Sequence, residues 1–193
     1  MSRIVAFESV TLDGVMQAPA RPDEDTRDGF EHGGWATPYA DEVAGRAAAA
    51  GMAETGAVLL GRRTYEDFTA AWSKRSGDQF ADFLNATRKY VASRTLTEPL
   101  PWANSTLLDG DAAEAVGRLR DEPGQDIVIL GSGELVRSLL PRSLIDRLVL
   151  QIHPLVLGSG RRLFADEGAI AKFRLADSTT TTTGVVVATY EQT

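Results

Sequence analysis

The chain of 193 residues contains no cysteine and only two histidines. Without cysteine there is no disulfide, no thiolate metal site and no cysteine nucleophile, and the composition fits a reducing compartment. Two histidines form no cluster with the spacing of metal ligands, so no metal site is predicted. We therefore expect a cytoplasmic protein without a metal centre.

Positive charge and long apolar runs are also scarce. Twenty basic residues face 27 acidic ones, which gives a formal net charge of -7 and a pI of about 4.9. A nucleic-acid binder or a protein that binds anionic membranes would carry a basic face instead. No apolar run in the sequence approaches the length that crosses a bilayer. The expected partner is a small molecule, and any phosphate site must be a local cluster of arginines on an acidic body.

Short apolar runs alternate with helical segments along the sequence. Residues 3–10, 57–60 and 126–130 are typical of strands, and the end of the chain predicts two further strands about Gly184. Strands that alternate with helices and then give way to a hairpin indicate an α/β fold. We predict a single three-layer domain over residues 1–193, with a mostly parallel twisted sheet and an antiparallel C-terminal hairpin.

Two sequence signals predict where helices begin. Thr37-Pro38 combines a good N-cap residue with proline at the first helical position, so a helix is expected from there to Glu54. Thr64 and Asp67 have the spacing of a capping box, which predicts a second helix that opens at Thr64.

Three polar segments each follow an apolar run that reads as a buried strand. They are Gly61-Arg62-Arg63-Thr64, Ser93-Arg94-Thr95 and Gly131-Ser132-Gly133. The carboxyl ends of parallel strands meet at one edge of a sheet, where open α/β sheets bind their ligands. Glycines let backbone N–H groups approach a phosphate, and arginines supply positive charge. The segments therefore predict a site for a phosphorylated dinucleotide.

Each segment also has an ordinary structural interpretation. A Gly-x-Gly turn can be a tight strand-to-helix connection, two adjacent arginines can be solvated, and Ser93-Arg94 can belong to a plain polar loop. The ordinary interpretation explains one such segment at a strand end more easily than it explains three. Arg94 would be suited to the 2′-phosphate that distinguishes NADP from NAD.

The order of the motifs resembles the dihydrofolate-reductase-like family. Within it, the sequence is most similar to the reductase domain of the bifunctional deaminase-reductase of riboflavin biosynthesis. The resemblance covers essentially the whole chain. It rests on Ser9-x-x-x-Asp13-Gly14, Gly33-Gly34-Trp35, Gly61-Arg62-Arg63-Thr64-Tyr65, Ser93-Arg94-Thr95, Leu130-Gly131-Ser132-Gly133 and the stretch from His153 to Phe164.

This resemblance implies an NADPH-dependent reductase, and relatives on the riboflavin branch commonly form homodimers. The residues that it implies for the cofactor are Gly14, Gly61, Arg62, Arg63, Thr64, Ser93, Arg94, Gly131, Ser132, Gly133 and Glu134. The first strand and the loop after it would flank the nicotinamide and the substrate through Ser9 and Met16. Dihydrofolate reductases also carry an acid at the start of the first helix, but this sequence has Ala36-Thr37-Pro38-Tyr39 there.

Two side chains are candidates at the substrate end, and each keeps an alternative. Asp13 is the candidate acid or substrate anchor, but an Asp-Gly turn after the first strand explains it equally well. Trp35 is suited to stack on a flat ring, although a core or interface aromatic is the commoner role. The function hypotheses are a reductase of 5-amino-6-(5-phosphoribosylamino)uracil or a similar heterocycle, a dihydrofolate or pterin reductase, and a catalytically weak nucleotide- or flavin-binding module.

Overall fold

The computed structural model describes residues 1–164 and 170–193. Its framework is an eight-stranded sheet with the order β4-β3-β2-β5-β1-β6-β8-β7. The strands are β1 (Ile4–Thr11), β2 (Thr55–Gly61), β3 (Arg88–Ala92), β4 (Ser105–Leu107), β5 (Asp126–Leu130), β6 (Arg147–His153), β7 (Phe173–Thr180) and β8 (Val186–Gln192). Pairing is parallel from β4 through β6, whereas β8 runs antiparallel to both β6 and β7. The predicted mostly parallel sheet with an antiparallel C-terminal hairpin is confirmed.

Within the two described ranges, five α-helices connect the strands. They are α1 (Glu42–Glu54), α2 (Arg62–Trp72), α3 (Gln79–Ala86), α4 (Ala112–Asp121) and α5 (Gly133–Leu139). Among the described residues, no helix combines the length and the apolar character that a membrane crossing requires.

The helices cover both faces of the sheet. Successive residues of a strand point to opposite sides, so one strand packs against helices on both faces. Ala57 and Leu59 of β2 pack in one apolar cluster with residues of α4 and α5. Val58 and Leu60 of the same strand pack in a second cluster that includes Tyr65 of α2 and Leu84 of α3. The sheet is thus the middle of three layers.

The predicted start of the first helix is wrong. Thr37 and Pro38 form an isolated 3₁₀ turn over Thr37–Tyr39, and α1 begins only at Glu42. Its cap is Asp41, whose Oδ1 accepts a hydrogen bond from the backbone N–H of Ala44 at 2.8 Å. An isolated Thr-Pro signal cannot show whether the turn that follows continues, and here Asp41 is the better acceptor.

The capping box predicted at Thr64 is also wrong. Helix α2 begins at Arg62 after Gly61, without a side-chain cap. The hydroxyl of Thr64 accepts a hydrogen bond from Ser132, and Asp67 forms an ion pair with Arg21. Residues distant in sequence therefore bind both side chains that the local pattern assigned to the cap.

Candidate functional site

The carboxyl ends of three neighbouring strands form one polar rim. Because β3, β2 and β5 are adjacent and parallel, the segments that follow Ala92, Gly61 and Leu130 lie side by side. All three border one large cavity of about 1440 Å³. The residues of the predicted cofactor set that line it are Gly61, Arg62, Arg63, Thr64, Ser93, Arg94, Gly131, Ser132, Gly133 and Glu134. The structure thus brings together side chains that are up to 73 positions apart in sequence.

Hydrogen bonds join two of these segments directly. The hydroxyl of Ser132 accepts a bond from the backbone N–H of Gly61 at 2.9 Å and donates one to the hydroxyl of Thr64 at 2.8 Å. Gly131 and Ser132 both have positive φ, 58° and 64°, which bends the chain sharply after β5. This bend places the Ser132 hydroxyl against the start of α2, so the two turns form one rigid wall.

Charge in the cavity differs from charge on the rest of the chain. Eight arginines line it: Arg21, Arg27, Arg62, Arg63, Arg94, Arg137, Arg142 and Arg161. Eight acidic residues line it as well: Glu8, Asp23, Glu24, Asp25, Glu66, Asp67, Asp111 and Glu134. The lining is formally neutral, and the net charge of -7 is carried by other parts of the chain. Eight arginines thus lie around one cavity, together with an equal number of acidic residues.

The arginines of the rim differ in how they are paired. Arg63 lies 3.7 Å from Glu134, and Arg62 lies 3.9 Å from Glu66, one turn ahead on α2. Arg94 is exposed and forms no ion pair within the described part of the chain. Its guanidinium group is therefore available to an anion at the end of β3.

A long loop between β1 and α1 closes one side of the cavity, and Gln17 organises it. The side-chain amide of Gln17 donates to the carbonyls of Asp25 and Arg27 at 3.2 and 3.0 Å. Its Oε1 accepts from the backbone N–H of Arg161 at 2.9 Å. Because Gln17 is only 3% exposed, these bonds hold the loop in a defined position.

Ser9 and Met16, the two predicted substrate contacts on this side, both line the cavity. Met16 packs directly on Gly133: a Cβ atom at that glycine would lie 2.0 Å from the Met16 sulfur. Ser9 donates a hydrogen bond of 3.2 Å to Gln151 of β6. The loop after β1 thus packs through Met16 against the start of α5, and a side chain at Gly133 would require Met16 to move.

Asp13 lies outside the cavity lining. Its carboxylate accepts hydrogen bonds from the hydroxyl of Thr11 at 2.6 Å and from the backbone N–H groups of Leu157 and Gly158 at 3.2 and 2.9 Å. The bond from Thr11, followed by those backbone bonds, lowers the pKa of Asp13. A carboxylate held in its ionised form is a poor proton donor, so Asp13 is better suited to holding the turn after β1 than to donating a proton.

Trp35 and Gly14 also lie outside the cavity lining. Trp35 is 6% exposed, its indole N–H donates to the carbonyl of Gln17 at 2.8 Å, and its ring packs edge-on against His153. Gly14 turns the chain with φ at 79°, and its carbonyl accepts a hydrogen bond from Leu163. Both residues stabilise the loop that closes the cavity rather than face its interior.

Glu8 is a cavity residue that the sequence analysis missed. It is 2% exposed, and its Oε1 atom is buried without a hydrogen-bond partner among the described residues. Burial raises the pKa of Glu8 well above its usual value, and the nearby charge of Arg137 opposes part of that rise. The available signal was a single acidic residue inside the otherwise apolar run Ile4–Val10.

Comparison with known proteins agrees with this architecture. The uncharacterized protein YyaP of Bacillus subtilis strain 168 is 29% identical over 138 residues, which are 69% of this chain and 72% of that protein. A putative riboflavin biosynthesis protein from Shewanella sp. PV-4 superposes with a TM-score of 0.71 at 18% identity and 99% coverage of both chains. A pyrimidine reductase-like protein from Corynebacterium diphtheriae gives a TM-score of 0.66 at 12% identity and covers 100% of this chain and 92% of its own.

The fold and the rim define a class: dihydrofolate-reductase-like α/β proteins whose cavity lies at the carboxyl ends of the parallel strands. Within that class, residues 3–187 match the RibD C-terminal domain. The chain belongs to this family.

Proposed function

We propose that the protein is an NADPH-dependent reductase of a small heterocyclic substrate. The observation that carries the proposal is the common rim, where segments after β2, β3 and β5 line one cavity and Arg94 stands without an ion pair among the described residues. Membership of the RibD C-terminal domain family supports the assignment to a reductase.

The residues of the rim fit the cofactor. Arg94 would hold the 2′-phosphate of the adenosine, and Ser93 folds the turn that presents it by accepting bonds from the N–H groups of Thr95 and Leu96 at 3.1 and 3.0 Å. Arg62 and Arg63 would offset the charge of the pyrophosphate beside the Gly131 turn. NADPH, when bound, supplies a hydride from its nicotinamide ring.

The chain's own contribution is alignment and exclusion of water. Ser9 and Met16 border the end of the cavity next to β1, and the loop held by Gln17 covers it from one side. Hydride transfer needs two rings in close contact, and a closed pocket supplies that geometry. The reduced substrate also needs a proton, which must come from a group that can hold one.

The proposed substrate class is a pyrimidine or a similar heterocycle with a reducible C=N or C=O bond. The pyrimidine reductase-like protein of Corynebacterium diphtheriae and the riboflavin biosynthesis protein of Shewanella share the fold, which makes 5-amino-6-(5-phosphoribosylamino)uracil the first compound to test. Dihydropterins are the second choice, because the acid at the start of α1, Asp41, caps the helix, accepts hydrogen bonds from Thr182 and does not line the cavity.

The Arg94→Ala variant tests the cofactor assignment. Loss of a charge-assisted pair with the 2′-phosphate costs about 1–3 kcal/mol, so the Kd for NADPH should rise roughly 5- to 150-fold. NADH lacks that phosphate, and its Kd should hardly change. Fluorescence titration of the reduced nicotinamide measures both constants.

The matched control is Arg118→Ala, which removes a guanidinium from α4 that does not line the cavity. Equal weakening of NADPH and NADH by the Arg94 change would contradict the assignment. Tight binding of flavin in place of NADPH would favour the flavin-binding alternative instead.

We also propose that residues 1–193 act as one domain, that the protein is cytoplasmic and that it forms a homodimer, as the family resemblance suggests. Light scattering coupled to size-exclusion chromatography measures the mass in solution. A mass of 20.8 kDa, that of one chain, would contradict the dimer.

A further inference from the structure

Glu8 lies at the end of the cavity where a dinucleotide on the rim would place its reacting half. Strands β3, β2, β5 and β1 are consecutive in the sheet, and neighbouring strands are separated by roughly 4.8 Å. With the adenosine phosphate at Arg94 after β3 and the pyrophosphate between β2 and β5, the other half of the molecule points toward β1. In the β1–β5 register, Phe7 pairs with Leu130, so Glu8 lies level with the Gly131 turn.

The surroundings of Glu8 are almost entirely apolar. On its face of β1 the neighbours Ala6 and Val10 are buried with Val136 and Leu139 of α5. Its partner across β6 is Leu150, which is 7% exposed. The Oε1 atom of this carboxyl group is buried without a hydrogen-bond partner among the described residues, which is a costly arrangement typical of functional sites.

Charged groups near Glu8 are few. Arg137 of α5 is the one whose charge acts on it, and its Nη1 is occupied by the carbonyls of Arg162 and Leu163 at 2.6 and 3.4 Å. Next to Glu8 on its own side of the sheet, the residues of β5 and β6 are Ile129 and Leu150. Burial therefore favours the protonated form of the carboxyl, and a cation that stabilises the carboxylate lies close by.

We propose that Glu8 is the proton donor of the reduction, an inference that rests on the proposed function. The carbon of the substrate's C=N or C=O bond gains the hydride from the reduced nicotinamide, and the heteroatom of that bond takes the proton from the carboxyl of Glu8. The O–H bond of Glu8 breaks, the cofactor leaves in its oxidised form, and the resulting carboxylate faces Arg137. Solvent returns the proton when the cavity opens.

Carbon-13 NMR of protein labelled at glutamate carboxyl groups tests the state and the place of Glu8 without any substrate. The signal is assigned by its loss in Glu8→Gln. It should titrate with a midpoint well above the usual value of about 4.3. A midpoint at the usual value would overturn the inference.

Cofactor fragments locate the carboxyl within the cavity. Saturating NADPH should move the Glu8 signal, whereas adenosine 2′,5′-bisphosphate, which carries only the adenosine half, should leave it in place. If NADPH leaves the Glu8 signal unchanged, the carboxyl of Glu8 does not face the reacting end of the cofactor, and the inference fails. The titration and the response to NADPH both test the inference without a substrate.

Turnover supplies a third measurement, with 5-amino-6-(5-phosphoribosylamino)uracil as substrate. Glu8→Gln should lower kcat by roughly 10²–10⁴-fold while the Kd for NADPH stays unchanged. Glu114→Gln, an exposed glutamate on α4, is the matched control and should behave as wild type. Full activity in Glu8→Gln would overturn the role of Glu8 and leave the proposed function intact. Wild-type protein that neither binds nor oxidises NADPH would instead contradict the proposed function itself.

Discussion

Two strands of the same sheet each bury one charged side chain, with opposite results. Lys89 of β3 is fully buried, and its ammonium donates to the carbonyls of Leu84 and Thr87 at 2.7 and 2.8 Å while lying 4.5 Å from the centre of the Trp102 ring. Glu8 of β1 is equally buried, but its Oε1 has no partner among the residues that the structure describes.

The difference separates a structural role from a functional one. The hydrogen bonds and the aromatic ring around Lys89 offset part of the cost of removing its charge from water, and they tie the end of α3 to β3. Within the described part of the chain, the Oε1 of Glu8 has no hydrogen-bond partner, and Glu8 instead borders the cavity with only the charge of Arg137 acting on it. A buried polar group with its hydrogen bonds satisfied stabilises the fold, whereas one without them at a cavity is a candidate for chemistry.

The largest effect on stability is expected from Lys89→Met. The change keeps the apolar stem but leaves two carbonyls without their donor, so the free energy of unfolding should fall by about 1–3 kcal/mol. Urea denaturation followed by fluorescence measures it. Lys74→Met, at an exposed lysine, should change the stability by less than about 0.5 kcal/mol. If Lys89→Met is as stable as wild type, the hydrogen bonds of Lys89 do not stabilise the fold. The contrast between a structural Lys89 and a functional Glu8 would then be contradicted.

The pH dependence of stability should have opposite signs at the two sites. Burial lowers the pKa of Lys89 to about 8, so between pH 8 and about 10.4 the unfolded chain binds more protons and stability rises with pH. Burial raises the pKa of Glu8, so from about pH 4.3 up to its folded pKa the native state binds more protons and stability falls with pH. Each group contributes up to about 1.4 kcal/mol per pH unit.

Unfolding measured from pH 4 to pH 10 separates these contributions. The Lys89→Met variant should lose only the rise in stability at alkaline pH. The Glu8→Gln variant should lose only the fall in stability that begins above pH 4.3. A fall with pH that persists in Glu8→Gln would have to come from another carboxyl group, such as Glu24 or Asp67, whose pKa values burial also raises.

The smallest effect is expected from Arg137→Met. The guanidinium of Arg137 opposes the rise in the pKa of Glu8, so its removal should move the Glu8 midpoint upward. The glutamate NMR signal reports the shift directly. Arg142→Met changes another arginine of the cavity lining and is the control. A downward shift would mean that Arg137 does not act on Glu8 through its charge.

Much of the rim could be predicted because its signals are local. An apolar run followed by Gly61, Ser93 or Gly131 shows where a strand ends, and parallel strands bring such ends to one edge. The roles of Asp13 and Trp35 could not be read this way. The partners that occupy them, the N–H groups of Leu157 and Gly158 and the carbonyl of Gln17, are specified only once the loops have packed.

The amino-acid sequence alone determined the alternation of strands and helices, the acidic body, the absence of thiol chemistry and the positions of the phosphate-type segments, because composition and short-range pattern carry that information. The tertiary structure decided which side chains meet. Only the packing of α5 and β6 against β1 shows that Glu8 is buried and that its Oε1 has no hydrogen-bond partner in residues 1–164 and 170–193, since burial is a property of neighbours that lie more than a hundred positions away in sequence.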